Sequence, residues 1–549
     1  MKSTVGKILV FSIIVLFALP PSIGLCAQIQ MNKTKLEPPT GMKVYEVRLE
    51  QLDSGVVNKI ALQQGLSQSG TQGTPRGNVA LFADKSTKAN RLLVNQSSGH
   101  MSLVPNIEKL AKMQPRLLQQ GAAFNQAVNH ANSLKLAPSD VSQFRPSKLL
   151  TLSSAELGKG GQATGPVKNI LQTVQFSRTI NNKAVMGAGS QLHVDLGDNG
   201  NLEGFGKSVN KLAESKLAPS FKNDAEVYGE IEKNIAQQFP GNAVAKVNTP
   251  RLVYFGESGK FVQPAYQFDV EVSGPNQVGK VYYNGVVSAL KNAPEAIRKM
   301  RSREMPNQAK AEMEHVQVAL ADDDPTVCRY VVRNDHYAWA EDATDFKNGL
   351  IAGHPASFPA ITFLDYYWDY PYIWTTSANS FANKCHISLM EGHGANWLFT
   401  TVGNCCDVVN LNAGTQPGYG NKAGDSMRLL VLKGCSIVPS PQDRTNWPDP
   451  WWRIFKGLQT AVGFRTTMYI NDDISDNFGF ALARGVRIVD AWFSATNSST
   501  SYGWNRFWGS EVTGYGTVVM IPGYYNATIY NTGRAPDATA VGLSIFWQH

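Results

Sequence analysis

From residue 326 onward, short apolar runs alternate with segments in which apolar positions recur every three or four residues. "TVCRYVVRND", "AITFLDYYW", "NKCHISLMEGHG", "SMRLLVLKGCSIV" and "GFRTTMYI" read as strands. "HYAWAEDATDFKNGLIAG", "WWRIFKGLQTAVGF", "DDISDNFGFALARG" and "RIVDAWFSATN" read as helices. Continuous apolar strands interleaved with amphipathic helices predict an α/β fold, a mostly parallel sheet with helices on both faces. Ligands of such sheets bind outside the carboxyl ends of the strands. After residue 496 the pattern turns Ser-, Thr-, Gly- and Tyr-rich, which predicts a β-rich extension to residue 549. Its aromatics are expected mainly to pack between sheet and loops.

The first half is patterned differently. Residues 174–206 alternate like paired strands with Asn and Gly turns, 223–239 reads as an amphipathic helix, and 250–272 reads as a hairpin. Together they predict an α+β unit over 165–312. Residues 28–164 are polar, with helical patterning at 107–135 and a loop-like "QSGTQGTPRGN" at 68–78. An acidic linker is expected at 313–325, before a second half spanning 326–549.

The N-terminus, with Lys2 and Lys7 before an apolar run from Ile8 to Leu19, reads as a signal peptide over 1–27. The expected location is therefore secreted or periplasmic, with no stable membrane span. All 11 tryptophans lie between Trp339 and Trp547. Residues 326–549 carry 15 Lys+Arg against 17 Asp+Glu, and the first 325 residues carry 36 against 26. The net charge of +8 is thus a property of the first half, and without basic stretches interleaved with aromatics it implies no nucleic-acid partner. No phosphate-cradling loop is present, no cofactor is expected and no metal ligand is assigned, while "NDDISDN" leaves calcium open without the full loop pattern that would argue for it. With Cys26 in the leader, Cys328, Cys385, Cys405 and Cys406 are the disulfide candidates, in pairings left open, and Cys435 is expected to stay free.

Two strand candidates end in reactive side chains. One runs into Gly392-His393-Gly394, and the other into Gly434-Cys435, 42 residues after His393. Were the strands neighbours, His393 could deprotonate a Cys435 nucleophile, and the amides of Gly394 and Cys435 could stabilise an oxyanion. Either residue alone is more often structural, and a disulfide through Cys435 is a competing reading. A metal site of Cys385, His386 and His393 is disfavoured, because side chains seven apart on a strand point to opposite faces. Asp365, Asp443 and Asp449 are candidate contacts for a basic substrate group.

The pair resembles the dyad of the caspase-like cysteine peptidases, which include caspases, legumains and gingipains. The strand "GFRTT", the helix with Phe478 and Leu482, and "GVRIVDAWFSA" extend the resemblance over most of 326–495. It implies a His393–Cys435 dyad and an oxyanion hole at Gly394 and Cys435. It further implies an orienting group at Asn334 or Asp335, with Glu391 as another candidate. Gly434 stands where the family usually has Ala. The whole chain also resembles secreted bacterial and fungal proteins of an uncharacterised family with the "EGHG" element. In the first half, Arg178-Thr179-Ile180, Ala184-Val185, Gly187 and "LHVDLGDNG" resemble propeptide modules of the PepSY and fungalysin/thermolysin type. The expectation is a secreted cysteine endopeptidase-like hydrolase acting on a peptide or protein, made as a precursor whose N-terminal region inhibits it or assists its folding. The alternative is an inactive caspase-like domain that binds peptide or glycan.

Overall fold

The computed structural model describes residues 28–49, 53–74, 77–187, 189–238, 243–256, 260–273, 281–297, 324–332, 338–402, 407–421, 426–468, 474–498, 514–531 and 533–549. The leader, most of the linker, Asn334, Asp335, Cys405 and Cys406 lie outside the described residues.

In the first half the elements that matter below are β1 (Gln143–Leu157), β2 (Lys168–Ile180), β3 (Ser190–Leu196), β4 (Leu202–Val209) and α1 (Asp224–Gln238). The second half contributes β5 (Thr326–Val331), α2 (Ala338–Gly353), β6 (Thr362–Trp368), β7 (Ile387–Glu391), β8 (Leu429–Lys433) and β9 (Thr460–Phe464). They are followed by α3 (Ile474–Leu482), α4 (Ile488–Ser498), β10 (Gly516–Met520) and β11 (Leu543–Gln548).

Strand β5 lies between β6 and β7, β7 pairs with β8, and β8 with β9, all in parallel. Beyond β9 the direction alternates. Antiparallel pairs run from β9 to β10, β10 to β11, β11 to β1, β1 to β2, β2 to β3 and β3 to β4. The fold is therefore mixed α/β, and its continuous sheet is mostly antiparallel when taken whole. The parallel order expected for the second half is confined to five strands.

Those five strands are covered on both faces. One face packs Val327, Leu389, Val431 and Val462 against Trp339, Phe346, Phe478 and Trp492 from α2, α3 and α4. The other packs Tyr330, Met390, Leu432 and Ala461 against Trp374, Tyr419, Trp451 and Phe455. This second layer is made of loops and the short helices Pro371–Trp374 and Asp449–Ile454. Burial on both faces explains why the strands read as unbroken apolar runs.

Three expectations are corrected. The helix read through "WWRIFKGLQTAVGF" ends at Ile454, and Thr460–Phe464 is strand β9. Gly457, at φ +144°, takes a backbone turn that a helix cannot continue through, and β-branched Thr460 and Val462 favour the strand. The described part of the loop expected at 68–78 falls instead within two paired strands, Leu66–Thr74 and Gly77–Asp84. Residues 28–164 hold much strand, and β1 pairs with β2 across the division drawn at residue 164. The first and second halves share one core, in which Leu152 and Ile170 belong to the same cluster as Trp492 and Phe546. No helix among the described residues is long and apolar enough to cross a membrane.

Candidate functional site

The chain enters the parallel strands at β5, steps one way to β6 and then crosses back to β7. Strand order thus reverses beside β7, and a crevice at such a reversal is where open α/β sheets bind ligands. The β7–β8 register pairs Glu391 with Lys433. His393 and Cys435 each follow two residues later, so the same register brings both to one edge of the sheet, on the face that α2 covers.

The backbone is tight there. Gly392 N donates to Lys433 O at 3.1 Å, Val332 N to Glu391 O at 2.7 Å, and Trp397 N to Ile437 O at 3.1 Å. A methyl on Gly434 would lie 2.6 Å from Gly392 O, and one on Gly394 would lie 2.7 Å from Cys435 O. Both contacts are closer than a Cβ tolerates, so glycine is required at each position. The same close approach brings the chain at Gly394 against the chain at Cys435. Ser436, directly after the cysteine, holds φ +57°, a left-handed conformation uncommon for a non-glycine residue.

His393 is half-buried, and its ring meets Trp339 of α2 edge-on at 5.3 Å. Burial lowers its pKa to about 4, so the imidazole is neutral at neutral pH. Cys435 is a free thiol. Burial raises its pKa, against which a hydrogen bond to the backbone of Met468 works in the opposite sense. That bond runs from Sγ to Met468 O at 3.8 Å. The resting pair is a neutral thiol beside a neutral imidazole.

Beneath the pair lies a layer of buried charge. Lys433, 1% exposed, ion-pairs with Asp342 of α2 at 3.0 Å and lies 5.4 Å over the Phe464 ring. Glu391 is fully buried in register with Lys433, which rules out a solvated edge charge. The two orienting candidates Asn334 and Asp335 fall outside the described residues.

Cys328 and Cys385 form a disulfide that ties the middle of β5 to the chain entering β7. Cys385 therefore offers no thiolate to a metal, and His386 accepts the Thr326 amide at 3.2 Å through Nδ1. Asp365 is buried, ion-paired to Lys384 and accepting from the Tyr330 hydroxyl, so it is not presented to a substrate. Asp443 is held by Arg465 at 2.6 Å, and Asp449 is an exposed residue at the start of a short helix whose other side is buried. None of the three is brought to His393 by the sheet. Sequence reasoning missed Trp339, Asp342 and Lys433. Lys433 was visible as a charge at the end of an apolar strand, but its partner depends on how α2 packs.

A family model described as a domain of unknown function, DUF6345, matches residues 330–528, which include His393 and Cys435. No curated protein matches the chain. A solved structure of an uncharacterized protein from Eubacterium rectale ATCC 33656 matches with 9% identity and a TM-score of 0.31, covering 47% of this chain and 86% of its own.

Proposed function

We propose that the chain is a secreted cysteine hydrolase acting on peptide-type carbonyls, with a caspase-like arrangement in its second half. One observation carries this reading: the β7–β8 register delivers His393 and Cys435 to adjacent strand ends at the reversal of strand order. In the step envisaged, Cys435 Sγ attacks the carbonyl carbon while its proton passes to His393. The amides of Gly394 and Cys435 receive the developing oxyanion, and the imidazolium returns its proton to the leaving amine. Water then releases the acyl group and regenerates the thiol. Because the resting pair is neutral, the proton leaves the thiol only as the substrate carbonyl is attacked. A buried disulfide between β5 and the entry to β7 fits an oxidising compartment.

The sheet supports a folding role for the N-terminal region over an inhibitory one. That region joins the sheet at β11, several strands away from β8, and it completes the core. A second reading, an inactive domain that binds peptide or glycan, is favoured by the Cys435 thiol bonding to Met468 O.

The test is cleavage of a quenched-fluorescent peptide library by the purified protein and by Cys435→Ala. Cleavage abolished in the variant, with an acid limb of kcat/KM near the lowered His393 pKa of about 4, is expected. Binding of peptides or glycans by both proteins, without cleavage by either, would replace the hydrolase with the binding reading.

A further inference from the structure

Beyond the two strand ends, the segments that follow His393 and Cys435 are tied together by side chains that the proposed chemistry does not use. Asn396 lies three residues after His393, and Ser436 directly follows Cys435. In the amide orientation that satisfies both of its neighbours, the side-chain nitrogen of Asn396 donates to Ser436 O at 3.2 Å. Its side-chain oxygen then accepts from Arg444 Nε at 2.8 Å and from Arg444 Nη2 at 2.9 Å. Trp397 N donates to Ile437 O, a second tie between the same two segments.

Both segments hold costly backbone at this point. Ser436 sits at φ +57° and Trp397 at φ +60°. Residues other than glycine keep the left-handed region only where surrounding contacts over-determine them. At Ser436 those contacts stand on both sides: its N–H donates to Thr466 O at 3.0 Å, and its carbonyl accepts from Asn396. The N–H belongs to the peptide that joins Cys435 to Ser436, so these bonds set the direction in which the chain leaves Cys435.

Arg444 closes the arrangement from outside. It is exposed, on a turn where its N–H donates to Ser440 O at 3.0 Å and its carbonyl accepts from Trp447 N at 3.3 Å. The preceding residue, Asp443, pairs with Arg465 and accepts from Ser440, which steadies the turn. A guanidinium with two donors on the amide oxygen leaves the amide nitrogen facing Ser436 O. Position 396 thus meets donors on one side and an acceptor on the other, a demand that asparagine meets and aspartate does not.

We propose that Asn396 is a positioning residue of the His393–Cys435 pair: Arg444 orients its amide, and the amide holds Ser436, and with it Cys435, against the His393 segment. This role presupposes the hydrolase reading of that pair.

The experiment measures, with iodoacetamide at pH 7 and mass spectrometry, the factor by which His393→Gln slows Cys435 alkylation in the full-length protein. A ratio of this kind cancels a general change in thiol exposure. The factor is expected to be about tenfold or more in the native background. Asn396→Ala, which loses both bonds, is expected to bring it close to one. Asn396→Asp, which keeps its acceptors for Arg444 but has no donor for Ser436 O, is expected to do the same. Arg444→Met, at an exposed position where folding is not at stake, is expected to lower it severalfold. Ser436→Gly, free to adopt the left-handed conformation, is expected to restore the factor in Asn396→Ala. A full factor in Asn396→Ala, Asn396→Asp or Arg444→Met would overturn the proposal, as would a loss that Ser436→Gly does not restore. A factor of one in the native background is a different result: the hydrolase reading then fails, and the positioning role falls with it.

Discussion

Strand β5 and strand β1 lie in one sheet yet are built on different rules. Every residue of β5 is buried, including Arg329, because helices cover one face and an aromatic layer covers the other. Strand β1 begins with exposed Gln143, Arg145 and Ser147 alternating with half-buried neighbours, and is buried only in its middle, at Leu150 and Leu152–Ser154. The parallel strands serve to position a site edge. The long antiparallel strands serve to close the core from one side. The difference teaches that the first half supports the second structurally, from the side of the sheet remote from His393 and Cys435.

The largest expected effect breaks this comparison outright. Residues 326–549 expressed alone would expose the β11 edge and the apolar surface that Leu152, Ile170 and Leu171 cover. The fragment is expected to lack a cooperative thermal transition, whereas the full chain shows one by circular dichroism. A fragment that melts cooperatively, with intact spectra, would mean that the halves are independent.

The next effect is local to the parallel strands. The Cys328–Cys385 disulfide joins residues 57 apart in sequence. By chain entropy, closing a loop of that length stabilises by about 4 kcal/mol. Cys328→Ala/Cys385→Ala is expected to lower the urea midpoint accordingly without changing the contribution of the first half. An unchanged midpoint would remove the disulfide from the account of how β5 and β7 are held.

A smaller effect sharpens the contrast at the site edge. Gly434→Ala would place a methyl 2.6 Å from Gly392 O, and relieving such overpacking costs roughly 1–3 kcal/mol. Its reading is the thermal midpoint together with the Cys435 labelling rate. A fully tolerated alanine would mean that the two strand ends are less tightly apposed than described.

What could be read from sequence divides along the same line. The apolar runs ending at His393 and Cys435 were legible because strands buried on both faces leave an unbroken hydrophobic signal. Their adjacency was not legible, since register depends on which strands pair. The helix misread through residues 459–464 shows the ambiguity of short apolar runs, resolved here by Gly457. The seam was hidden for a related reason. Composition separates the halves sharply at the tryptophans and at the charge balance, yet the backbone ladder from β11 to β1 runs across that border. Trp339 and Asp342 escaped notice because a helix declares its buried stripe but not the residues it will meet.

The most direct measurement is the rate of Cys435 alkylation by iodoacetamide in the native protein and in His393→Gln, followed by mass spectrometry from pH 5 to 9. If His393 accepts the thiol proton, the variant reacts at least tenfold more slowly at pH 7, in line with the loss of a general base. If both proteins give the same profile, rising only as pH approaches the raised pKa of a buried thiol, His393 does not act on Cys435 and the hydrolase reading is contradicted.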